Sequence, residues 1–455
     1  MIYIDVFAAL CLALVFGDAV LWNLRNKKVI FAYNEAVLFS LFGTLLLLSS
    51  LPGSATYLGT VKISQFSTFF MLLFTAGMLA VSSIAYEYAD NYGDFAVLSA
   101  FALIGMYLVA SASSLIMIFL GLELMSIPSV FMSLLSRKRS LEAATKFLIM
   151  ASLATALVSF AVVLIYGASG STALAEQNFA VITVFASAIF IAALGFEASL
   201  FPFNVLIPDI YQGSSAYVTA MLGGINKKVG FAALIQIVIL LFITFRFAFD
   251  VLVALAILTM FYGNLVALVQ RNFKRMLAYS SISQAGYILI GIATASQLGI
   301  YASMFQIFAH MFMFIGLMCI VAWLEKNSRN EIVDMIGLFK ENKFMAVCAS
   351  VLMLSLIGVP LTTGFIGKLL IFVSAVNAGL LFLALIGILN SVISVFYYSR
   401  VIFAMFTDKV GARHVQAGAV TISVVAACVL ITLAFGIFPN PVMQLASNAA
   451  AALFH

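Results

Sequence analysis

This chain of 455 residues is apolar throughout: residues of the types AVILMFWYC make up 65% of it, and Asp, Glu, Lys and Arg only 9%. Its mean hydropathy of +1.19 excludes a soluble globular protein, because too few polar side chains are present to cover the surface of one. The formal net charge of +5 does not indicate a nucleic-acid partner, since the basic residues follow a pattern of membrane topology. The composition therefore predicts an all-α, polytopic protein whose surroundings are the lipid bilayer.

Apolar runs of about 20 residues, the length that crosses a bilayer as a helix, recur along the whole chain and predict about fourteen transmembrane helices. The loops between them are mostly short, so almost nothing is expected to fold outside the membrane. The predicted spans begin near Tyr3, Val29, Phe66, Phe95, Leu115, Leu141, Phe179, Ala216, Val251, Met276, Gly299, Met345, Gly379 and Ala417.

The Lys and Arg residues are distributed unevenly between the loops. Numbered from the amino terminus, the even loops hold only Lys62 and Arg246 of the 22 basic residues. By the positive-inside rule the odd loops are cytoplasmic and both termini lie outside. The predicted location is the plasma membrane of a prokaryote, with an organelle inner membrane as the alternative. The odd loops hold Arg25, Lys27, Lys28, Arg137, Lys138, Arg139, Arg271, Lys274, Arg275, Lys326, Arg329, Lys340, Lys343, Lys409 and Arg413.

The order of the spans suggests four segments. The segments are amino-terminal transmembrane helices (1–94), two related halves (95–246 and 247–406), and a carboxy-terminal transmembrane helix with a tail (407–455).

The longest polar stretch, Glu325 to Lys343, is amphipathic and predicts a helix lying on the cytoplasmic face.

Two spans are interrupted in a similar way. The chain reads GFEASLFPF around Glu197 and GVPLTTGFIGKLLIF around Lys368, with glycine and proline beside an ionisable residue in both. The two segments lie five spans apart and so run in opposite directions, as the broken helices of inverted repeats do. We interpret Pro202, Pro208 and Pro360 as helix breaks; the alternative is that proline is simply common in membrane helices.

Several ionisable residues lie in the middle of these apolar segments. A charged side chain at the centre of a membrane helix costs about 2.5–3.5 kcal/mol, so it marks a functional site by default. Glu123 must be protonated, paired or hydrated; a neutral Glu bonded to a neighbouring helix is the alternative. Lys227 and Lys228 must point in different directions, because neighbouring helical residues are about 100° apart. Lys368 follows the second break, where snorkelling to the interface is the alternative.

Other candidates are more ambiguous. His310 is either a hydrogen-bonded core histidine or a relay between two sites. Lys146, near the start of its span, either snorkels or pairs with Glu123. Asp18 and Glu35 are nearer the ends of their helices and are expected to be interfacial.

Together, a buried acid, buried lysines and a buried histidine on separate helices describe a hydrophilic axis through the bilayer. Each group can alternate between charged and neutral and so influence its neighbour. This is the composition of a proton path. Nothing in the sequence resembles an aqueous pore, a nucleotide-binding loop, a haem-ligand pair or a hydrolytic triad, and no metal- or cofactor-binding residues are predicted.

These segments resemble the antiporter-like membrane-arm subunits of respiratory complex I, most closely those of the N type. The resemblance covers about Asp94 to Phe406. It rests on GLELMSIPSVF, EAATKFLIMASLATA, PFNVLIPDIYQG, INKKVGF, NFKRMLAYSSISQAGY, GVPLTTGFIGK and NSVISVFYYSRVIFAMF.

The resemblance implies roles for individual residues. Glu123 matches the acidic member of the family's ion pair, and Lys227 matches the central lysine that passes the proton onward. Lys368 matches the terminal lysine of the second half, and His310 a histidine position of sister subunits.

This chain departs from the family near the first break. Where the family usually reads Gly-Phe-Lys, residues 195–197 read Gly-Phe-Glu, so an acid replaces the lysine that pairs with the Glu123 position. The Pro-Phe-His-x-Trp stretch has lost its histidine and tryptophan at 202–206, and Gly-Ala-Pro-Thr-Pro has lost both prolines at 213–217.

The substitution at Glu197 leaves three hypotheses open. The two acids share a proton, since both cannot ionise cheaply; or Lys146 or Lys228 supplies the missing cation; or the first half is altered or inactive.

The function implied is a proton-translocating membrane-arm subunit of a complex I-like redox pump, an NADH or other donor:quinone oxidoreductase. The alternatives are a subunit of a multisubunit cation/proton antiporter or of a membrane-bound hydrogenase, a solute carrier, or a structural subunit. No cofactor is expected in this chain. Iron–sulfur clusters, flavin and quinone are expected in partner subunits, and sister antiporter-like subunits among the membrane-arm partners.

Overall fold

The computed structural model describes residues 2–22, 26–51, 53–57, 59–135, 140–174, 181–242, 247–408 and 415–454, and most of them are helical. The amino-terminal segment contains three helices and a short antiparallel hairpin between the second and third. These elements are α1 (Ile2–Trp22), α2 (Lys27–Ser50), β1 (Ala55–Tyr57), β2 (Val61–Ile63) and α3 (Gln65–Tyr88).

The two predicted halves follow. A π-helical turn, Leu222–Asn226, joins α9 to α10, and a 3-10 turn, Ile332–Met335, precedes α14. The helices of the first half are α4 (Tyr92–Ala110), α5 (Leu115–Ser133), α6 (Ser140–Ser169), α7 (Val181–Ala198), α8 (Ile207–Gly213), α9 (Ala216–Met221) and α10 (Lys227–Phe242). Those of the second half are α11 (Phe247–Leu268), α12 (Phe273–Ala293), α13 (Gln297–Lys326), α14 (Leu338–Glu341), α15 (Lys343–Ile357), α16 (Thr363–Asn377) and α17 (Leu381–Phe406), and the chain closes with α18 (Ala419–Ile437) and α19 (Asn440–Phe454).

The predicted span count agrees with this architecture. Among the described residues, 12 helical stretches are long and apolar enough to cross a membrane. Two further spans are interrupted: α7 with α8, and α15 with α16. Counting each interrupted span once gives the fourteen predicted, and confirms an all-α polytopic membrane protein.

The interruptions lie where glycine and proline predicted them. Pro202 lies in the non-helical segment between α7 and α8, and Pro360 in the one between α15 and α16. Gly358 ends α15 with φ +98°, a left-handed conformation that favours glycine. Pro208 is a correction: it lies in the first turn of α8 and begins the second half-helix, where a fixed φ and a missing N–H do no harm.

Backbone hydrogen bonds between loops confirm that the spans alternate in direction. Lys62 N donates to Ser111 O (2.7 Å) and Leu115 N donates to Thr172 O (2.8 Å), so the second, fourth and sixth loops share one face. Phe273 N donates to the carbonyl of Asn330 at 3.0 Å, which places the ninth and eleventh loops together on the opposite face. We call these the even face and the odd face. The two broken spans begin on different faces, as inverted repeats require.

The assignment of the odd face to the cytoplasm stays a prediction. Part of its basis lies outside the described residues, namely Arg25, Arg137, Lys138, Arg139, Arg246, Lys409 and Arg413.

The amphipathic stretch on the odd face is not one helix as predicted. A 3-10 turn over Ile332–Met335 and the single turn α14 are separated by Gly337, whose φ is +80°. The left-handed glycine breaks the helix but keeps Met335 and Leu338 buried.

The centre of the bundle consists of α12, α13 and the span that includes α9 and α10, which are 100%, 94% and 94% buried, against 17% for α1. These spans carry many buried polar side chains, including Lys228, Ser281, Gln284, Gln306 and His310. Because lipid surrounds the bundle, polar groups are stable only in its interior, which locates the candidate site there.

Candidate functional site

The axis begins with two acids on α5 and α7. Glu123 is half-buried and accepts a short hydrogen bond from the Thr155 hydroxyl of α6. Glu197 is close enough to Glu123 for their charges to interact, yet it has no hydrogen-bond partner in the described part of the chain. The predicted proximity of the two acids is therefore present, without a direct bond between them.

A cavity of about 30 Å³ connects Glu197 to the next ionisable group, and is large enough for one water. Lys227 and Asn226 line it as well. The Asn226 side-chain amide donates to the Ser129 hydroxyl at 2.7 Å, while its side-chain oxygen is buried and has no hydrogen-bond partner among the described residues. Gly230 keeps α10 against α7 here, because a Cβ at that position would lie 2.8 Å from the Glu197 Cβ. A bridging water has both space and polar partners at this point.

The adjacent lysines diverge, as predicted. Lys227 donates to the carbonyl and hydroxyl of Ser281 on α12, at 3.1 and 3.0 Å. The Nζ atom of Lys228 lies 2.5 Å from Nδ1 of His310 on α13 and donates to the Gly223 carbonyl at 3.3 Å. Gly223 belongs to the π-helical turn, a local irregularity that is common at functional sites and that the sequence reading did not predict.

Amide side chains continue the axis from the region of His310 to the second broken span. The Nε2 atom of His310 is buried and has no hydrogen-bond partner in the described part of the chain, so the ring is not the fully hydrogen-bonded core histidine of the alternative interpretation. Gln306, one turn earlier on α13, donates to Gln284 at 2.9 Å. Gln284 donates in turn to the Leu356 carbonyl at 3.2 Å, and Lys368 donates to that same carbonyl at 2.9 Å.

The interruption between α15 and α16 provides hydrogen-bond acceptors for Lys368. The last carbonyls of a helix have no intrahelical partner, and those of α15 face this ammonium. Besides Leu356, Lys368 donates to the carbonyl of Ile357 and the hydroxyl of Ser391, both at 2.8 Å, and lies 4.6 Å from the Tyr287 ring centroid. Lys368 is buried, so it does not snorkel to the interface as the alternative supposed.

A further polar cluster lies beyond Ser391. Asn264 donates to the Asn390 side chain at 3.1 Å and accepts from the Tyr397 hydroxyl at 3.0 Å. All three residues are buried between α11 and α17. The described residues thus contain a nearly continuous series of polar groups from α5 to α17.

Lys146 does not pair with Glu123. It forms ion pairs with Asp209 on α8 (2.7 Å) and with Glu142 one turn earlier (2.6 Å). Arg275 binds the other oxygen of Asp209 at 2.5 Å. The carboxylate therefore ties the half-helix α8 to α6 and α12, next to the cavity that Glu197 lines. Lys228 faces His310, so neither lysine supplies a cation to the two acids.

The expectation that Asp18 and Glu35 are interfacial concerns their depth in the bilayer and stays a prediction, but their burial within the bundle was not predicted. Asp18 is completely buried, and Asn34 of α2 donates to its Oδ2 atom at 2.7 Å. Glu35 is half-buried, with one carboxylate oxygen inaccessible. Their burial follows from the packing of α1 and α2 against α3 and α4, which distance from a helix end does not reveal.

Lys274 and Arg275 are more than topology determinants. Lys274 is buried and pairs with Glu325 at 2.9 Å, which joins α12 to α13 on the odd face. Sequence reasoning also missed several uncharged members of the axis. For Ser281, Gln284 and Gln306 the available signal was the polar side chains within the otherwise apolar α12 and α13. The other missed members are Asn226 in the π-helical turn, Asn264 on α11 and Ser391 on α17. No group of three or more His, Cys, Asp or Glu side chains that could hold a metal occurs among the described residues.

Comparison with known proteins agrees with this geometry. Residues 112–394 match the family model described as NADH:quinone oxidoreductase/Mrp antiporter, TM. The chain belongs to this family. It is 35% identical over 427 residues to the F(420)H(2) dehydrogenase subunit N of Methanosarcina mazei, covering 87% of this chain and 85% of that protein. It is 34% identical over 418 residues to the NADH-quinone oxidoreductase subunit N of Moorella thermoacetica, with 88% of each chain covered.

A solved structure shows the same fold. A chain in the structure of respiratory complex I from Thermus thermophilus superposes with a TM-score of 0.87 and 27% identity, covering 97% of this chain and 99% of that chain. The family membership predicted from the motifs is confirmed, and the match includes Glu123, the two lysines of α10 and Lys368.

Proposed function

We propose that this protein is a proton-translocating membrane-arm subunit of a complex I-like, redox-driven proton pump. The observation that carries the proposal is the polar series from Glu123 to Lys368, which crosses the bundle through its most buried helices. Its ionisable members are separated by hydroxyl and amide groups or by a cavity with room for water. Such a series suits stepwise proton transfer better than it suits binding of an organic solute.

The proposed mechanism rests on alternating charge. A proton on Glu197 or Glu123 removes negative charge beside the cavity, which makes a protonated Lys227 less favourable. Lys227 can then release its proton toward the Lys228–His310 pair, and the shift of charge reaches Lys368 in the same way. Each charge moved against the membrane potential requires about 2.3 kcal/mol per 100 mV, so energy must come from outside this chain.

That energy is proposed to come from electron transfer in partner subunits. Iron–sulfur clusters, flavin and quinone would lie there, and a change in the charge of a neighbouring membrane subunit would start the sequence. Sister antiporter-like subunits are the proposed neighbours within the membrane arm. The proposed location is a prokaryotic plasma membrane, with the odd face cytoplasmic and both termini outside.

The first half is proposed to work with a shared proton instead of an ion pair. Of the three hypotheses for Glu197, replacement of the cation by Lys146 or Lys228 loses support, because both are bonded elsewhere. A shared proton is supported by the electrostatic proximity of Glu197 to Glu123 and by the cavity beside it.

The test is mass spectrometry of the assembly that co-purifies with this chain from native membranes in mild detergent. Iron–sulfur proteins and sister antiporter-like subunits would support the redox pump and identify its electron donor. Small membrane partners alone, together with sodium-dependent proton transport, would instead favour a cation/proton antiporter. A chain that purifies alone would contradict both.

A further inference from the structure

The amino-terminal helices contain a buried carboxyl group that the proposed proton path does not use. Asp18 is fully shielded from solvent. Its Oδ2 atom accepts a hydrogen bond from Asn34 at 2.7 Å, while its Oδ1 atom has no partner among the described residues. It lies in α1, outside the two related halves.

Hydrogen bonds connect this carboxyl to three other helices. The Ser82 hydroxyl of α3 donates to the Asn34 side-chain oxygen at 3.2 Å, and it lies 2.7 Å from the Tyr92 hydroxyl of α4. Asn34, Ser82 and Tyr92 are all buried. The series therefore runs from the start of α4 inward to Asp18.

The outer end of the series reaches a polar cavity. A cavity of about 560 Å³ on the odd face is lined by Tyr92, Trp22, Lys27, Asp90 and their neighbours. Asp18 lies four residues before the end of α1, about 6 Å deeper along the helix axis at 1.5 Å per residue. Water in this cavity can thus reach the Tyr92 end of the series.

No described lysine or arginine forms an ion pair with Asp18 or with the adjacent Glu35. Lys27 donates to the Ala89 carbonyl at 2.9 Å, and the Tyr33 hydroxyl donates to the Ala13 carbonyl at 2.6 Å. Glu35 lies close to Ser82 and Ser83 and also lines a mostly apolar crevice formed by α2, α3, α13, α18 and α19. A buried carboxylate without a counterion is unstable, so a proton is the ligand that this environment favours.

We propose that Asp18 is a second proton-binding site, and that it exchanges protons with the odd face through Asn34, Ser82 and Tyr92. The site is independent of the axis between Glu123 and Lys368. It gives the amino-terminal helices a protonatable group of their own.

Infrared difference spectroscopy between about pH 8 and about pH 5 tests this on the native assembly with the full chain. We expect a protonated-carboxyl band that shifts in D₂O and is lost in Asp18→Asn, with proton uptake lower by about one per chain. Asp94→Asn is the matched control. Asp94 lies near the same cavity but accepts hydrogen bonds from Trp22 and Asn91, and its removal should leave the band unchanged.

Tyr92→Phe tests the connection while leaving Asp18 in place. Loss of one hydroxyl from the series should slow proton uptake after a pH jump by about fivefold. The proposal is overturned if the band survives in Asp18→Asn, or if Glu35→Gln removes it instead. An unchanged uptake rate in Tyr92→Phe would overturn the proposed connection.

Discussion

Both broken spans have an ionisable residue beside a helix end within the membrane, but the two residues have opposite charges when ionised. In the second half, α15 ends in the membrane and its free carbonyls receive the Lys368 ammonium. In the first half, α7 ends in the membrane and its penultimate residue is Glu197. The carboxy-terminal end of a helix carries partial negative charge, which stabilises a cation and destabilises an anion.

The surroundings of the two residues differ accordingly. Lys368 has three hydrogen-bond acceptors and an aromatic face, so its charge is balanced within a fixed structure. Glu197 has no hydrogen-bond donor among the described residues, has a second acid nearby, and lines a cavity. A helix break in the membrane therefore provides a site for positive charge. Where this chain has an acid at the break, a bound proton is the simplest source of that positive charge.

The largest expected effect is that of Lys368→Ala. It leaves the α15 carbonyls without their buried partner and removes the last ionisable group of the axis, so proton pumping should fall about tenfold or more. The measurement is dye-detected acidification of vesicles driven by the assembly's own electron donor. Lys340→Ala, which removes a lysine from an exposed ion pair with Asp408, is the matched control and should pump normally. Normal turnover and pumping in both Lys368→Ala and Lys227→Ala would support a purely structural subunit.

Glu197→Gln directly tests the difference between the two broken spans. It keeps the size of the side chain and removes its proton, so pumping should fall about fivefold if the two acids share a proton. The readout is the number of protons moved per electron. Glu142→Gln, which alters a more exposed carboxylate one turn from Lys146, is the control. A wild-type ratio in Glu197→Gln would mean that Glu197 is not on the path.

His310→Gln tests the connection between the halves. The variant retains a polar side chain but cannot carry a proton, so pumping should fall about threefold while electron transfer continues. Vesicle acidification and donor oxidation, measured in the same preparation, separate these two effects. Equal losses of both would indicate a structural role for the ring.

The smallest expected effect is on stability. Asp209→Asn removes the charge that binds Lys146 and Arg275 and holds α8 in place. The fold should be destabilised by only about 1 kcal/mol, because the carboxylate is partly exposed and its ion pairs are therefore weak. Thermal inactivation of the purified assembly measures this. Asp408→Asn, in an exposed pair, should leave the midpoint unchanged. A wild-type midpoint of thermal inactivation in Asp209→Asn would show that the ion pairs between α8 and its neighbours are unimportant for stability.

Much of this protein follows from its sequence alone. The thickness of a bilayer sets the length of a helix, so apolar runs predicted the spans, and Gly358, Pro202 and Pro360 predicted the interruptions. The cost of burying charge marked Glu123, Lys227, Lys228 and Lys368 as candidates. The motifs around them indicated the family.

The tertiary structure decided which groups meet. The sequence left a pair between Lys146 and Glu123 open, but the packing of α8 gives Lys146 Asp209 as its partner. Asp18 lies near a helix end, yet its side chain is completely buried within the bundle. The uncharged members of the axis, such as Gln284 and Gln306, carry no strong signal because a single amide is tolerated in many membrane helices. Their role depends on which helices pack face to face, and a linear pattern of hydropathy does not contain that information.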